Sequence, residues 1–283
     1  MTLLRLVGAE PLTAPVVVAA LDGWVDAGSG ATLAAGLLAD EGRSVATFDV
    51  DRIFDYRARR PTLGIVDGVP RELIWPELQL VRRRFAERDV LVLTGPEPDY
   101  RWRQLAAELA QLARVLEVSE WVSLGAIPAA VPHTRSVTIL GTRSSNGQLV
   151  SDVEAGPVGT LTVPAAFLSV VDMAIAGIGV PTVGYYAQIP HYVSGDYPAA
   201  ALELLAVLGR HLGVRLPRGR LPEEARELRE RLDAAAAADS STRAYVERLE
   251  GMVDESRLPS GTELISEIER FLRDRGAGSE PRG

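Results

Sequence analysis

The sequence contains no cysteine, no lysine and only three histidines in 283 residues. Each absence removes a chemistry. Without lysine there is no Schiff base, no pyridoxal-phosphate anchor and no P-loop lysine. Without cysteine there is no thiol nucleophile, no disulfide, no thiolate zinc site and no cysteine-ligated iron–sulfur cluster. His133, His191 and His211 lie 58 and 20 residues apart, so no HxxxH or HExxH spacing exists and no metal centre is expected. There is no GxGxxG fingerprint and no GxSxG elbow. No cofactor is expected. Any active site must be drawn from Asp, Glu, Arg, Ser, Thr, Tyr, backbone groups and three imidazoles.

What is present is ordinary for a globular chain: 47% hydrophobic and 24% charged residues, with a net charge of −8. All 30 basic residues are arginine. The acidic balance argues against a nucleic-acid partner, which selects for a basic face. The longest apolar stretch, Val163 to Tyr186, is interrupted by Asp172 and Pro181, so it reads as a helix and a strand rather than a membrane span. The N-terminal residues lack a basic region followed by an apolar run. The expectation is a cytoplasmic protein with no membrane partner.

The hydrophobic pattern alternates between two periods. Apolar strands are expected at 16–24, 44–51, 89–93, 120–126, 136–142 and 182–189. Helices are expected at 29–41, 102–116, 164–176 and 198–212. In the first of these, Leu33, Leu37 and Leu38 share a face and Ser29 is placed as the cap. Residues 53–76 read as a loop. Strand–helix–strand order points to a parallel crossover and an α/β sandwich with a mainly parallel sheet.

From Pro217 the charged fraction rises to about 40%, against about 19% before it. Three amphipathic stretches follow, starting near Leu221, Ser241 and Ser260. The expected organisation is an α/β domain over 1–216, a helical subdomain over 217–275 and a flexible tail over 276–283.

In an open parallel sheet, ligands favour the carboxyl ends of the strands. Polar clusters follow several expected strands: Asp22, Trp24 and Asp26; Glu97, Asp99, Tyr100, Arg101 and Trp102; His133, Thr134 and Arg135; His191 and Tyr192. In a catalytic reading, His133 or His191 acts as general base or acid, oriented by Asp99, Glu97 or Asp22, while Arg101 or Arg135 holds an anionic group. In a structural reading, the prolines stiffen turns and the histidines and arginines satisfy loop carbonyls and carboxylates. In a third reading, these loops and Asp55, Tyr56 and Arg57 form a protein interface, because Tyr, Trp and Arg suit buried contacts. The glycine-rich turn Gly28-Ser29-Gly30 is a further candidate, for an anion at a helix N-terminus.

The motifs DGWVDAG (Asp22–Gly28), FDYRARRP (Phe54–Pro61), LTGPEPDYRWR (Leu93–Arg103), LGAIPAAVPHTR (Leu124–Arg135) and IPHYV (Ile189–Val193) resemble the proteasome-assembly-chaperone 2 (PAC2) family in its actinobacterial branch. YVERLE (Tyr245–Glu250) and EIERFLR (Glu267–Arg273) extend the likeness. The resemblance implies a three-layer αβα sandwich, phosphorylase- or hydrolase-like, and a homo-oligomer, a trimer among the forms expected. It implies a non-enzymatic, ATP-independent chaperone or scaffold, with proteasome subunits as the partner class. It supplies no catalytic residues. A small-molecule hydrolase or phosphorylase with a strand-end cleft stands as the alternative.

Overall fold

The computed structural model describes residues 2–8, 11–157 and 159–257. The third amphipathic stretch, EIERFLR and the expected tail lie outside the described residues. Within them, eight strands form one sheet: β1 (Leu4–Leu6), β2 (Val16–Asp22), β3 (Arg43–Phe48), β6 (Gln79–Phe85), β7 (Arg88–Pro96), β8 (Glu120–Ala129), β9 (Ile139–Arg143) and β10 (Thr182–Pro190). Their order is β1-β3-β6-β7-β2-β8-β10-β9. The central four, β7-β2-β8-β10, run parallel, and the flanking pairings are antiparallel.

Helices α1 (Gly30–Ala39) and α5 (Pro198–Leu212) cover one face. Helices α3 (Trp102–Val115) and α4 (Phe167–Gly177) cover the other. This is the expected αβα sandwich. The sheet is parallel where it is buried on both faces, and β2 is accordingly a continuous apolar run. A short helical turn, α2 (Val50–Ile53), ends the expected strand at 44–51 early. The β2–α1–β3 crossover does join two strands of the same direction, but β7 and β6 lie between them.

Helix α3 buries Leu105, Leu109 and Leu112, as its spacing predicts. Helix α1 does not bury the stripe its leucines predict. Ala31, Ala34, Ala35 and Leu38 are inside, while Leu33 and Leu37 are half-buried. Close approach of α1 to α5 selects the small face: a Cβ on Gly30 would stand 3.0 Å from the Ala200 Cβ.

Residues 53–76 are not only loop. They contain a separate hairpin, β4 (Thr62–Val66) and β5 (Val69–Ile74), turning at Asp67-Gly68. Both turn residues have positive φ, 51° and 78°, as a two-residue hairpin turn of type I′ requires.

Two local features anchor the sheet. Asp89, at the start of β7, is fully buried and is clasped by Arg82 of β6, with Nε–Oδ1 at 2.8 Å and Nη2–Oδ2 at 3.0 Å. The amide of Thr13 donates to the same carboxylate at 2.6 Å. Gly95, next to last in β7, has φ +135°, and a Cβ there would collide with the Glu77 carbonyl oxygen. Gly95→Ala is therefore expected to cost about 2 kcal/mol or more through clash and backbone strain, read as a lowered melting temperature.

After α5 the chain continues as α6 (Leu221–Ala238) and α7 (Ser240–Arg257). Leu221, Leu228 and Leu232 pack α6 onto the α1/α5 layer. Asp239 caps α7 by accepting from the Ser241 hydroxyl and the Thr242 hydroxyl and amide. Those bonds hold its carboxyl well below the usual range.

Candidate functional site

The strand-end residues fall into two groups. The first lies beyond β2 and β7. Glu97 bridges two elements there: Oε1 accepts from the Phe167 amide at the start of α4 at 2.5 Å, and Oε2 from the Trp24 amide at 3.4 Å. Trp24 itself is exposed. Asp99 accepts from the Asp55 amide at 2.8 Å, and Arg59 lies between Asp99 at 3.5 Å and Asp22 at 3.8 Å. Asp55 accepts from the Arg57 amide at 2.9 Å and the Tyr100 hydroxyl at 3.0 Å. The Arg57 amide and side chain, with Tyr100, lower its carboxyl to about 2. Tyr56 donates to Asp51, which raises the phenol to about 12. Trp102 donates to the Pro98 carbonyl and packs on Phe167. Arg101 adopts φ 62° at the residue before α3 and lines a shallow hollow of about 510 Å³ with residues 99–104.

The second group lies beyond β8 and β10, against α6 and α7. His133 is buried. Its Nδ1 meets the Tyr192 hydroxyl at 2.7 Å and its Nε2 meets Asp233 at 3.2 Å. The Tyr192 hydroxyl also accepts from the His133 amide at 2.8 Å. That assigns the neutral tautomer: Nε2–H donates to Asp233, and Tyr192 donates its proton to Nδ1. Burial lowers the imidazole's affinity for a second proton, against the opposing pull of Asp233. Arg229 donates to the His133 carbonyl at 2.7 Å and to Asp233 at 2.9 Å.

Thr134 donates to Glu250, and Arg135 pairs with Glu250 at 3.3 Å and Asp254 at 2.7 Å. His191 donates from Nδ1 to the Ala129 carbonyl at 3.0 Å and accepts at Nε2 from Tyr245 at 3.0 Å. The rings of His191, Tyr192 and Tyr245 meet edge to face at 5.7–6.1 Å.

Thus His133 and His191 share one cluster. Asp99, Arg101, Glu97 and Asp22 belong to the other, and none of the histidines' hydrogen bonds described above goes to them. Both Pro-His loops carry the C-terminal helices. Arg135→Ala is expected to change global stability by less than about 1 kcal/mol, because its ion pairs are partly solvated. Hydrogen exchange of α7 should nevertheless accelerate.

The turn before α1 does not present free amides. Asp26 accepts from the Ala31 amide at 2.7 Å, the Thr32 amide at 3.3 Å and the Thr32 hydroxyl, filling the place of an anion. Ser29 sits at φ 50° with no side-chain cap bond, so Asp26 takes the capping role expected of Ser29. Burial raises the Asp26 carboxyl in spite of these bonds. His211 is a core residue: Nδ1 meets the Tyr185 hydroxyl at 2.9 Å and Nε2 lies 3.1 Å from Glu120.

Sequence reading missed the partners that α6 and α7 bring, namely Arg229, Asp233, Tyr245, Glu250 and Asp254. At i,i+4 spacing, Arg229 and Asp233 look like a solvated helix pair, and nothing local signals that they also clasp a loop about 100 residues away. It also missed Asp172 of α4, which accepts from Ser123 of β8 at 2.6 Å. Desolvation raises that carboxyl to about 7. Among the described residues there is no cluster of three or more His, Asp and Glu suited to a metal, and no helix long and apolar enough to cross a membrane.

The model of the PAC2 family matches residues 20–236, which take in the first strand-end group, both Pro-His loops and most of α6, and end before α7. The chain belongs to the PAC2 family. A PAC2 family protein from Streptomyces avermitilis is 37% identical, with a TM-score of 0.71, over 82% of this chain and 99% of that one. A Mycobacterium tuberculosis proteasome-assembly chaperone homologue is 34% identical, with a TM-score of 0.74, over the same shares. A Mycobacterium tuberculosis protein of unknown function is 32% identical, with a TM-score of 0.82, over 89% of this chain and 91% of that one. No curated protein matches. Of the motifs read from the sequence, DGWVDAG, FDYRARRP and GPEPDYRW build the first group and PHTR and IPHYV the second, while YVERLE of α7 packs on the second from beyond the matched residues.

Proposed function

We propose that the protein is a non-enzymatic, ATP-independent assembly chaperone or scaffold that works by binding other proteins, with proteasome subunits as the partner class and self-association as part of its action. A cytoplasmic location, and a helical subdomain from residue 217 that acts as one unit on the α/β body, belong to the same reading. The observation that carries it is membership of the PAC2 family over most of the chain, with one relative at 34% identity described as a proteasome-assembly chaperone homologue. The chemistry of the loops supports it. Their aromatic and arginine side chains are the types enriched at protein contacts, and on the Pro-His loops Tyr192, His191 and Arg135 already meet the chain's own helices.

The hydrolase or phosphorylase alternative has less support. Its best base, His133, has both ring nitrogens engaged and lies beneath α6, out of reach of a substrate. Purification of the tagged chain from its native cell is expected to recover proteasome subunits or assembly intermediates. A deletion strain that assembles proteasomes at the normal rate would sink the assembly role.

A further inference from the structure

The net charge of the chain is −8, yet one stretch of it is purely basic. Between Glu203 and Glu223 no acidic residue occurs, and Arg210, Arg215, Arg218 and Arg220 fall in that interval. Arg210, Arg215 and Arg218 line a hollow of about 630 Å³ at the end of α5. Helix α5 follows β10 and runs back along the sheet, so the hollow lies at the opposite end of the sheet from the Pro-His loops. His211, in the same last turn, accordingly meets Glu120, the first residue of β8.

The backbone builds this hollow. Gly213 turns the chain at φ 68°, and a Cβ on Gly209 would stand 2.9 Å from the Val214 carbonyl oxygen. The returning segment therefore lies tightly across the helix end. Leu205 of α5 forms one wall, and Val214 and Leu216 of the returning segment form the other. The amides of Gly213 and Val214 donate to the carbonyls of Arg210 at 3.3 Å and Gly209 at 3.0 Å. Backbone groups thus close the helix end, and the arginines are not required as caps.

Arg210 is compensated by Asp152 at 2.9 Å and Glu203 at 3.8 Å. Among the described residues, the side chains of Arg215 and Arg218 have no ion pair and no hydrogen-bond acceptor. Two uncompensated charges on one hollow repel each other unless an anion lies between them. No carboxylate or imidazole lines the hollow, so it holds no group suited to passing a proton. Its chemistry is that of binding.

We infer that this hollow binds a small organic phosphate, with a dianionic phosphate monoester between Arg215 and Arg218 and an apolar body against Leu205, Val214 and Leu216. A guanidinium presents paired N–H donors that match phosphate oxygens. A phosphate monoester carries close to two negative charges at neutral pH, which balances both arginines. A carboxylate or a sulfate ester carries one and leaves an arginine unbalanced. The volume is that of an ordinary small-molecule site. The inference is independent of the protein contacts in the proposed function.

Phenyl phosphate, phenyl sulfate and inorganic phosphate, titrated in turn into the full chain, test it by calorimetry and backbone amide NMR. Phenyl phosphate is expected to bind, with its shifts gathered in 205–218. Phenyl sulfate has the same shape with a single charge, and inorganic phosphate lacks the ring. Each should bind about tenfold more weakly, or worse. Arg215→Gln and Arg218→Gln should each weaken phenyl phosphate by about tenfold to a hundredfold, the loss of one charge-assisted contact. Arg220→Gln, outside the hollow, should leave the affinity unchanged. All three arginines are exposed, so the variants should melt at the wild-type temperature. No binding of phenyl phosphate, shifts confined to residues outside 205–218, or an affinity that neither hollow variant lowers would overturn the site. Equal binding of phenyl sulfate overturns the dianion, and equal binding of inorganic phosphate overturns the apolar body.

Discussion

Arg82→Ala is expected to destabilise the fold by roughly 3–5 kcal/mol, the largest effect of any single side chain discussed here. The substitution removes both guanidinium bonds from the buried Asp89 carboxylate and leaves it the Thr13 amide and the Arg84 charge. The reciprocal change is expected to cost less. In Asp89→Ala the Arg82 guanidinium, already 18% exposed, turns toward water and keeps its charge solvated. Replacing both by leucine should return most of the loss, since an apolar pair needs no compensation. Burial alone would raise the Asp89 carboxyl, but Arg82 and the Thr13 amide outweigh it and hold it below the ordinary 3.8. A carboxyl lowered by folding adds stability that is complete above its unfolded value and is lost as pH falls through the folded one. Wild type should therefore show an acid-side loss that Asp89→Ala lacks. Urea unfolding at pH 7 and between pH 4 and 2 measures both effects. Equal costs for the two single alanine variants would contradict the asymmetry.

His133→Ala is expected to cost about 2–4 kcal/mol, from a buried ring lost and the Tyr192 hydroxyl and Asp233 carboxylate left without it. Its pH dependence is more specific than its size. Burial lowers the imidazole below the ordinary 6.5, so the folded state holds it neutral. Stability from a group kept neutral in this way is complete above 6.5 and is lost as pH falls below it, because the unfolded chain then binds a proton that the folded chain refuses. Docking of α6 and α7 on the Pro-His loops should accordingly loosen between pH 7 and pH 5. Amide exchange in 221–257 reads this directly. His133→Phe should keep much of the packing and abolish the pH dependence in that window. Retention of the full dependence would place its origin elsewhere.

These residues also mark how far the sequence could be read. The αβα architecture was legible because buried parallel strands are continuous apolar runs and α3 and α5 carry clear helical periodicity. The hairpin at 62–74 was not read, although Asp-Gly between two β-rich stretches is a strong local signal for it. Its pattern is not a clean alternation: a register shift near Gly64/Ile65 and the mixed run Pro70-Arg71-Glu72 break the period of two. The alanine face of α1 was misread because hydrophobicity favours leucine, whereas the close α1–α5 packing favours small side chains. At the strand ends, which of the candidate residues meet one another was not legible. Which loops converge depends on strand order, and the order β7-β2-β8-β10 sets β2 between the strand that leads to Asp99 and the strand that leads to His133. The partners on α6 and α7 were invisible for the same reason: their i,i+4 charges satisfy a helix surface as readily as a docking face.

The central claim is that this chain acts by binding proteasome subunits rather than by chemistry. The most direct measurement is the rate of core-particle assembly from separated subunits, followed by native mass with and without the purified chain and without nucleotide. The account predicts faster assembly, with the chain bound to an intermediate. An unchanged rate, with no co-migration of the chain and any subunit, would contradict it.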